Sequence, residues 1–259
     1  MDSNNYLVSV IMPVYNAGKY VKEALLSAVN LPNVGEIILI EDGSKDNSLE
    51  ICEALSSTYE KVCLYVHENN QNKGASESRN LGILKAKFNY ISFLDADDIY
   101  NENRFIREQY IFLSNPNVDG VYSAVGYTNE PDGKVFTLKR VVKPEKLFHY
   151  LLRGTYGHFH TNGITVKKDI FDKVGYFNPK LRLHQDSEMW LKMAFKGTLV
   201  GGELKSPVAL IKRHEGNRIW VGQNDKTRLF LYESFCNWVI KKNISFFQFV
   251  ISSSKNFNF

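Results

Sequence analysis

Cysteine is scarce: Cys52, Cys63 and Cys236 are the whole complement of a 259-residue chain, far apart and odd in number. That usage argues against a disulfide framework or a zinc site and predicts a reduced compartment. An excess of one charge is missing as well. Lys and Arg number 32 against 28 Asp and Glu, a formal net charge of +4. So mild a balance argues against a dedicated nucleic-acid binder, which concentrates basic residues on one face. No uninterrupted apolar run is long enough to span a bilayer. The opening "MDSNNYLVSVIMPVY" has no basic residues before its apolar stretch, and Pro13 stops that stretch early. It reads as a strand rather than a signal peptide, and the expected location is cytoplasmic.

What is present is ordinary for a soluble enzyme: 44% hydrophobic and 23% charged residues, in a chain long enough for one good core. The first half alternates two periodicities. "YLVSVIMPVY", "EIILIED", "VCLYVHE" and "YISFL" are short apolar runs of strand type. Between them "GKYVKEALLSAVN", "DNSLEICEALSSTY" and "ASESRNLGILKAK" repeat apolar residues at helical spacing. Asn47 and Glu50 stand where a capping box would begin the second helix. This β-α alternation predicts a mostly parallel sheet covered by helices on both faces, with ligands at the carboxyl ends of its strands. The second half is less regular. It offers a helix "NENRFIREQYIFL", a strand "VDGVYSAVGYT", a hairpin through Pro131-Asp132-Gly133, a helix "PEKLFHYLLR" and a strand and helix in "GITVKKDIFDKVG". A helix "DSEMWLKMAFKG", a strand "ALIKRH" and a C-terminal helix over 225–242 follow.

The expected strand ends carry the polar chemistry. "YISFLDADDIY" runs from apolar residues into three acids, Asp95, Asp97 and Asp98. Carboxylates resist dehydration and repel each other, so such a cluster calls for a cation. In a strand, residues two apart share a face, which lets Asp95 and Asp97 converge while Asp98 turns into the following loop. Two acids beside an open loop suit Mg2+ or Mn2+ carrying a nucleoside diphosphate. The plainer alternative makes Asp98 a helix cap near Asn101 and leaves the others solvated. "EDGS" supplies Asp42, able to accept from a nucleobase N–H, though Asp-Gly-Ser is also a common turn. "NKGASESRN" supplies Gly74, which admits a close backbone approach. Arg79 follows, able to pair with a carboxylate or a phosphate or to stay on a helix surface.

Together, "VSVIMPVYNAGKYVKEALLSAV", "IILIEDGSKDNS", "NKGASESRNLGI" and "YISFLDADD" resemble glycosyltransferase family 2, the inverting, nucleotide-sugar-dependent enzymes of the GT-A fold. The likeness resumes in "GYFNPKLRLHQDSEMWLKMAFKG" and "IKRHEGN". The resemblance implies that Pro13, Tyr15 and Asp42 line the base pocket, that Asp95 lies near the ribose and that Asp97 binds the metal. It makes Asp186 the general base that takes the acceptor proton. The family's acidic pair before that helix is broken here by Gln185, while Trp190 matches the family's Trp. His214, beside Arg213, matches a histidine that approaches the metal or the diphosphate. His158 and His160 in "GHFH" have no cysteine nearby, and read as a loop on the acceptor side rather than a zinc site.

The resemblance therefore implies one sugar moved from a nucleotide-sugar donor, a UDP-sugar first, to a glycan or lipid-linked glycan acceptor in cell-surface polysaccharide biosynthesis. The expected layout is a GT-A domain over 1–220, split into a nucleotide-sugar half (1–115) and an acceptor half (116–220), with a helical extension over 221–259. The extension mixes aromatics with Lys241 and Lys242. Packing on its own domain is the simpler reading, and peripheral contact with a membrane surface is the other. The alternative function is a degenerate member that only binds nucleotide or glycan. Gln185 supports it, while Asp95, Asp97 and Asp186 weigh against it.

Overall fold

A strand buried on both faces must be apolar at odd and even positions alike. The first strand, β1 (Val8–Val14), is such a strand. Val8, Val10, Met12 and Val14 enter one core cluster, and Ile11 points into the other. The computed structural model describes residues 6–128, 135–138, 140–154, 157–212, 225–242 and 244.

The first half follows the expected alternation: α1 (Val21–Val29), β2 (Val34–Glu41), α2 (Ser48–Thr58), β3 (Val62–Val66), α3 (Ala75–Lys85) and β4 (Tyr90–Phe93). β5 (Ile99–Tyr100) and α4 (Ile106–Ser114) come next. The expected helix from Asn101 thus begins later, after a turn that buries Arg104. The expected strand "VDGVYSAVGYT" is two strands, β6 (Gly120–Tyr122) and β7 (Val125–Tyr127), which belong to different sheets. The Pro131-Asp132-Gly133 hairpin lies outside the described residues. α5 (Pro144–Arg153), β8 (Ile164–Lys167), α6 (Ile170–Val174), α7 (Gln185–Lys196), β9 (Leu199–Gly201), β10 (Ala209–Ile211) and α8 (Asp225–Lys241) complete the described elements.

The main sheet has the order β3-β2-β1-β4-β8-β6-β9, and β5-β10-β7 form a small second sheet. β8 runs antiparallel to β4 and β6, and the other pairs of the main sheet are parallel. The carboxyl ends of β1, β2, β3 and β4 therefore share one edge, as the alternation predicts. α1, α2 and α4 cover one face, and α3, α5, α6, α7 and α8 cover the other.

Two local expectations fail for identifiable reasons. The capping box at Asn47 does not form: Asn47 makes no side-chain cap bond. Asp46 does that work, accepting from Ser48 N at 3.0 Å, and its other oxygen reaches Gly18 N at 3.0 Å. These hydrogen bonds hold the Asp46 carboxyl below its usual pKa against the opposing effect of burial. Arg104 was unremarkable in sequence, yet it is fully buried. Its guanidinium bonds Glu108 at 2.6 Å and Ser92 Oγ at 2.6 Å, and reaches Ile164 O at 3.0 Å. The carboxylate and the acceptors around it compensate that charge and tie β4 to β8 just below the acidic turn.

Candidate functional site

β1 and β2 end in two loops that brace each other. Asn16, at φ 50°, donates its N–H to Ser44 Oγ at 3.0 Å and accepts from Lys45 N at 2.8 Å. Glu41, fully buried, accepts from Gly43 N at 3.0 Å and Ser44 N at 2.6 Å. Gly43, at φ 70°, has no alternative: a Cβ would come within 2.6 Å of Asn70 O and 2.8 Å of Asn72 N. Pro13 and Tyr15 are half-buried at the end of β1.

Asp42 stands at the end of β2 as expected, but its carboxylate is turned inward. It is 3% exposed and accepts from Lys73 N at 2.7 Å and Gly74 N at 2.9 Å. His67 Nε2 lies 3.5 Å away and also contacts Ser78 Oγ at 3.0 Å. Burial raises the Asp42 pKa, although the two backbone donors oppose the shift. Asp42 therefore fixes the loop that leads into α3. Gly74, at φ 87° before that helix, leaves open space where a Cβ would stand.

The cation that meets the acidic turn is Arg79. Its Nη2 sits 2.7 Å from Asp95 Oδ1, its guanidinium lies 5.7 Å from the Phe177 ring centre, and the residue is only 5% exposed. The surface-helix reading of Arg79 is thus overturned by its burial against a carboxylate. Gln185, in the amide orientation that satisfies both ends, accepts from Arg79 Nη1 at 3.2 Å and donates to Leu181 O at 3.0 Å.

Asp98 departs from expectation. It does not turn away but is buried, accepting from Asn162 Nδ2 at 2.5 Å and Lys212 N at 2.9 Å. Neither is it a helix cap, since α4 begins only at Ile106. Asn162 also accepts from Asp95 N at 3.0 Å, so one buried amide clamps both ends of the turn. Burial, followed by the charges of Asp95 and Asp97, pushes the Asp98 carboxyl up to about 8. Ligand atoms of Asp95, Asp98 and His160 lie within 4.8 Å of one another, a set able to hold a metal ion. Asp97 is half-buried and is not one of the three. His160, read from the sequence as part of an acceptor-side loop, instead joins the acidic turn, and Asn162 was missed in sequence. They sit in a segment with no periodicity, and only the packing of β8 against β4 brings them under the turn.

Asp186 lies in the first turn of α7, half-buried, and accepts from Ser187 N at 2.7 Å. Its charge acts on both His158 and His160, whose pKa values burial lowers. Its neighbour Gln185 bonds Arg79, which pairs with Asp95, so the start of α7 lies beside the acidic turn. Glu188, two positions on, is 1% exposed. It pairs with Lys192 at 2.7 Å and accepts from Ser234 Oγ of α8 at 2.5 Å. Trp190 is a core residue, 1% exposed. His214 and Arg213 lie outside the described residues.

The family model for glycosyl transferase family 2 matches residues 9–175, and the chain belongs to that family. Among its relatives, glycosyltransferase GlyG of Streptococcus pneumoniae is 32% identical over 185 residues, covering 66% of this chain and 60% of GlyG. The minor teichoic acid biosynthesis protein GgaB of Bacillus subtilis is 32% identical over 197 residues, covering 72% of this chain and 21% of GgaB. Three uncharacterised Rickettsia glycosyltransferases are similar, and the chain spans 31% of the R. felis protein and 60% of the R. typhi one. The fold matches S. aureus TarS 1–349 in complex with UDP-GlcNAc at a TM-score of 0.74 and 17% identity, over 96% of this chain and 71% of TarS 1–349. It matches GalNAc-T7 with UDP, GalNAc and Mn2+ at a TM-score of 0.62 and 16% identity, over 91% and 50%.

Proposed function

We propose that this chain transfers one sugar, with inversion, from a UDP-sugar to a hydroxyl of a glycan or lipid-linked glycan acceptor in cell-surface polysaccharide biosynthesis. The observation that carries the proposal is the convergence at one sheet edge of the Asp95–Asp98 turn, the Asp42-anchored loop and Asp186. Similarity to a teichoic acid biosynthesis protein and a fold shared with UDP-GlcNAc-bound TarS favour this donor and pathway class. Pro13, Tyr15 and the Asp42–Gly74 loop would receive the nucleoside, and Asp95 the ribose side.

The donor set fits Mn2+ or Mg2+. Two carboxylates and an imidazole, from Asp95, Asp98 and His160, gather there. Asp95, Asp98 and His160 would hold the metal together with Asp97 beside them, and the family resemblance adds His214, which lies outside the described residues. When bound, the metal supplies charge neutralisation for the departing diphosphate. Asp186 accepts the acceptor's proton, because Glu188 is committed to Lys192 and Ser234. A lipid-linked acceptor would place the protein at a membrane surface, where exposed Leu229, Phe230 and Ile240 of α8 favour peripheral contact.

The second reading, a member that only binds, rests on Gln185. That amide joins Arg79 rather than the reacting centre, which leaves Asp186 available. A thermal-shift panel of nucleoside diphosphates with and without Mn2+ tests the donor. UDP at a hundred times its Kd should add about 2.7 kcal/mol of stability. Release of UDP from UDP-sugars with Mn2+ then tests the chemistry. A panel in which no nucleoside diphosphate raises the melting temperature would contradict the proposal.

A further inference from the structure

Beyond Asp186, away from the acidic turn, lies a cavity of about 60 Å³ between α5, α7 and α8. Its apolar walls are Leu151, Leu191 and Leu231, and its polar side chains are His158, His184, Ser187, Arg228 and Tyr232, whose hydroxyl donates to Leu152 O at 3.2 Å. Two imidazoles, a guanidinium and two hydroxyls face this space, and among the described residues no carboxylate lines it. The set is rich in donors: five guanidinium N–H groups and two imidazoles can offer N–H, and the two hydroxyls can donate as well.

These groups have few partners inside the protein. Arg228 has no acid partner among the described residues, and it is exposed at the cavity. His158 is half-buried and makes no side-chain hydrogen bond among the described residues. His184 meets only Thr227 Oγ1, at 3.3 Å. His184 is also held at φ 61°, a left-handed conformation that is strained in a non-glycine residue, just before α7 begins. Ser187, which lines the cavity, directly follows Asp186 in the first turn of α7, which places the cavity beside the proposed base.

We infer that this cavity is an acceptor subsite for a compact oxyanion, and that the acceptor of the reaction carries a phosphate group next to the hydroxyl it presents to Asp186. The inference rests on the transfer reaction proposed above and names its substrate class. A fork of guanidinium donors with flanking imidazoles matches tetrahedral oxygens. The same chemistry would also grip the donor's diphosphate, so the test must separate the two sources.

The probe is inorganic phosphate, titrated calorimetrically into the protein alone and into protein saturated with UDP and Mg2+. Wild type should bind phosphate in both states. Arg228→Gln and, separately, His184→Asn should weaken it at least tenfold, since the first removes a charge-assisted contact and the second an imidazole N–H donor. Asn tolerates the left-handed backbone at 184, and position 228 is exposed on its helix, so both variants should keep the wild-type circular dichroism. Arg107→Gln, outside the cavity, should bind phosphate like wild type. UDP affinity should be unchanged in Arg228→Gln. Loss of phosphate binding on saturation with UDP, or an equal loss of UDP affinity in Arg228→Gln, would assign the cavity to the donor and overturn the inference. So would absent phosphate binding in wild type, or full binding in both cavity variants. Failure of wild type to bind UDP with Mg2+ would instead strike the proposed reaction, and is read from a separate titration.

Discussion

Asp186→Asn and Glu188→Gln should fail in opposite ways, although they lie two residues apart. Around a helix that spacing turns the side chains about 200° away from each other. Glu188 faces inward, to Lys192 at 2.7 Å and Ser234 Oγ at 2.5 Å. Burial lowers the Lys192 pKa and the Glu188 carboxylate opposes that shift, so the lysine's charge depends on its neighbour. Removing one partner of a buried pair costs about 3–5 kcal/mol. Gln keeps an acceptor for Ser234, which favours the lower end, about 3 kcal/mol. In a domain of this size each kcal/mol moves the melting temperature by about 2–4 °C, so Glu188→Gln should melt roughly 6–12 °C lower. Folded Glu188→Gln should turn over donor at a rate near wild type. Asp186→Asn keeps the size and the contact to Ser187 N, and should melt within a degree or two of wild type. Its turnover should fall about a hundredfold or more, with donor affinity nearly unchanged, because a general base acts only in the transition state. Melting curves and UDP-release rates on the two variants decide the matter. Near-normal turnover in Asp186→Asn, with collapse in a fully stable Glu188→Gln, would refute the assignment.

Three further outcomes follow from the geometry. Asn162→Ala removes the clamp on Asp95 N and Asp98, and should cost on the order of 1–3 kcal/mol per orphaned buried group while weakening Mn2+-dependent UDP binding. Calorimetry and chemical denaturation read both effects, and an unchanged UDP affinity would detach the clamp from the site. Asp42→Ala should weaken UDP binding with Mn2+ and with Mg2+ alike, because it frees the Lys73–Gly74 backbone rather than touching a metal. Equal affinity in wild type and variant would leave Asp42 a turn residue. Asp98 sets the pH response. Its folded pKa, about 8, lies above the ordinary 3.8. The folded state therefore holds the proton more tightly, and that contribution is full below about pH 4 and is lost as pH rises towards 8. Metal-free protein in EDTA should melt lower at pH 8 than at pH 6, and Asp98→Asn should flatten that slope. A wild-type slope of the opposite sign would exclude Asp98 as its source.

Strand and helix order in the first half was legible because both faces of the sheet are buried, so the period changes cleanly from strand to helix. The sheet edge was legible for the same reason, and Asp42, Gly74, Arg79, Asp95 and Asp97 could be placed along it. Their partners were not legible. Asp42 meets a loop more than thirty residues on, and Arg79 meets Asp95 across the sheet edge. Asn162 reaches Asp98 from a separation of 64 positions. No local pattern encodes such pairs, because each depends on how distant segments pack, and the Asn162 pair on β8 inserting antiparallel beside β4. Arg104 was invisible for a related reason. It belongs to a helical-looking segment, and only tertiary packing makes it a buried cation with four oxygen partners. "VDGVYSAVGYT" failed differently: its continuous strand propensity conceals a switch between two sheets at Ser123 and Ala124.

The most direct test of a metal-assisted nucleotide-sugar site is a calorimetric titration of UDP into wild type and Asp97→Asn, each with Mn2+ and with EDTA. Wild type should bind UDP tightly with Mn2+ and weakly with EDTA. Asp97→Asn should bind weakly in both, with an unchanged or higher melting temperature, because losing one clustered charge relieves repulsion on Asp98. UDP binding by Asp97→Asn that matches wild type with Mn2+ would contradict the account.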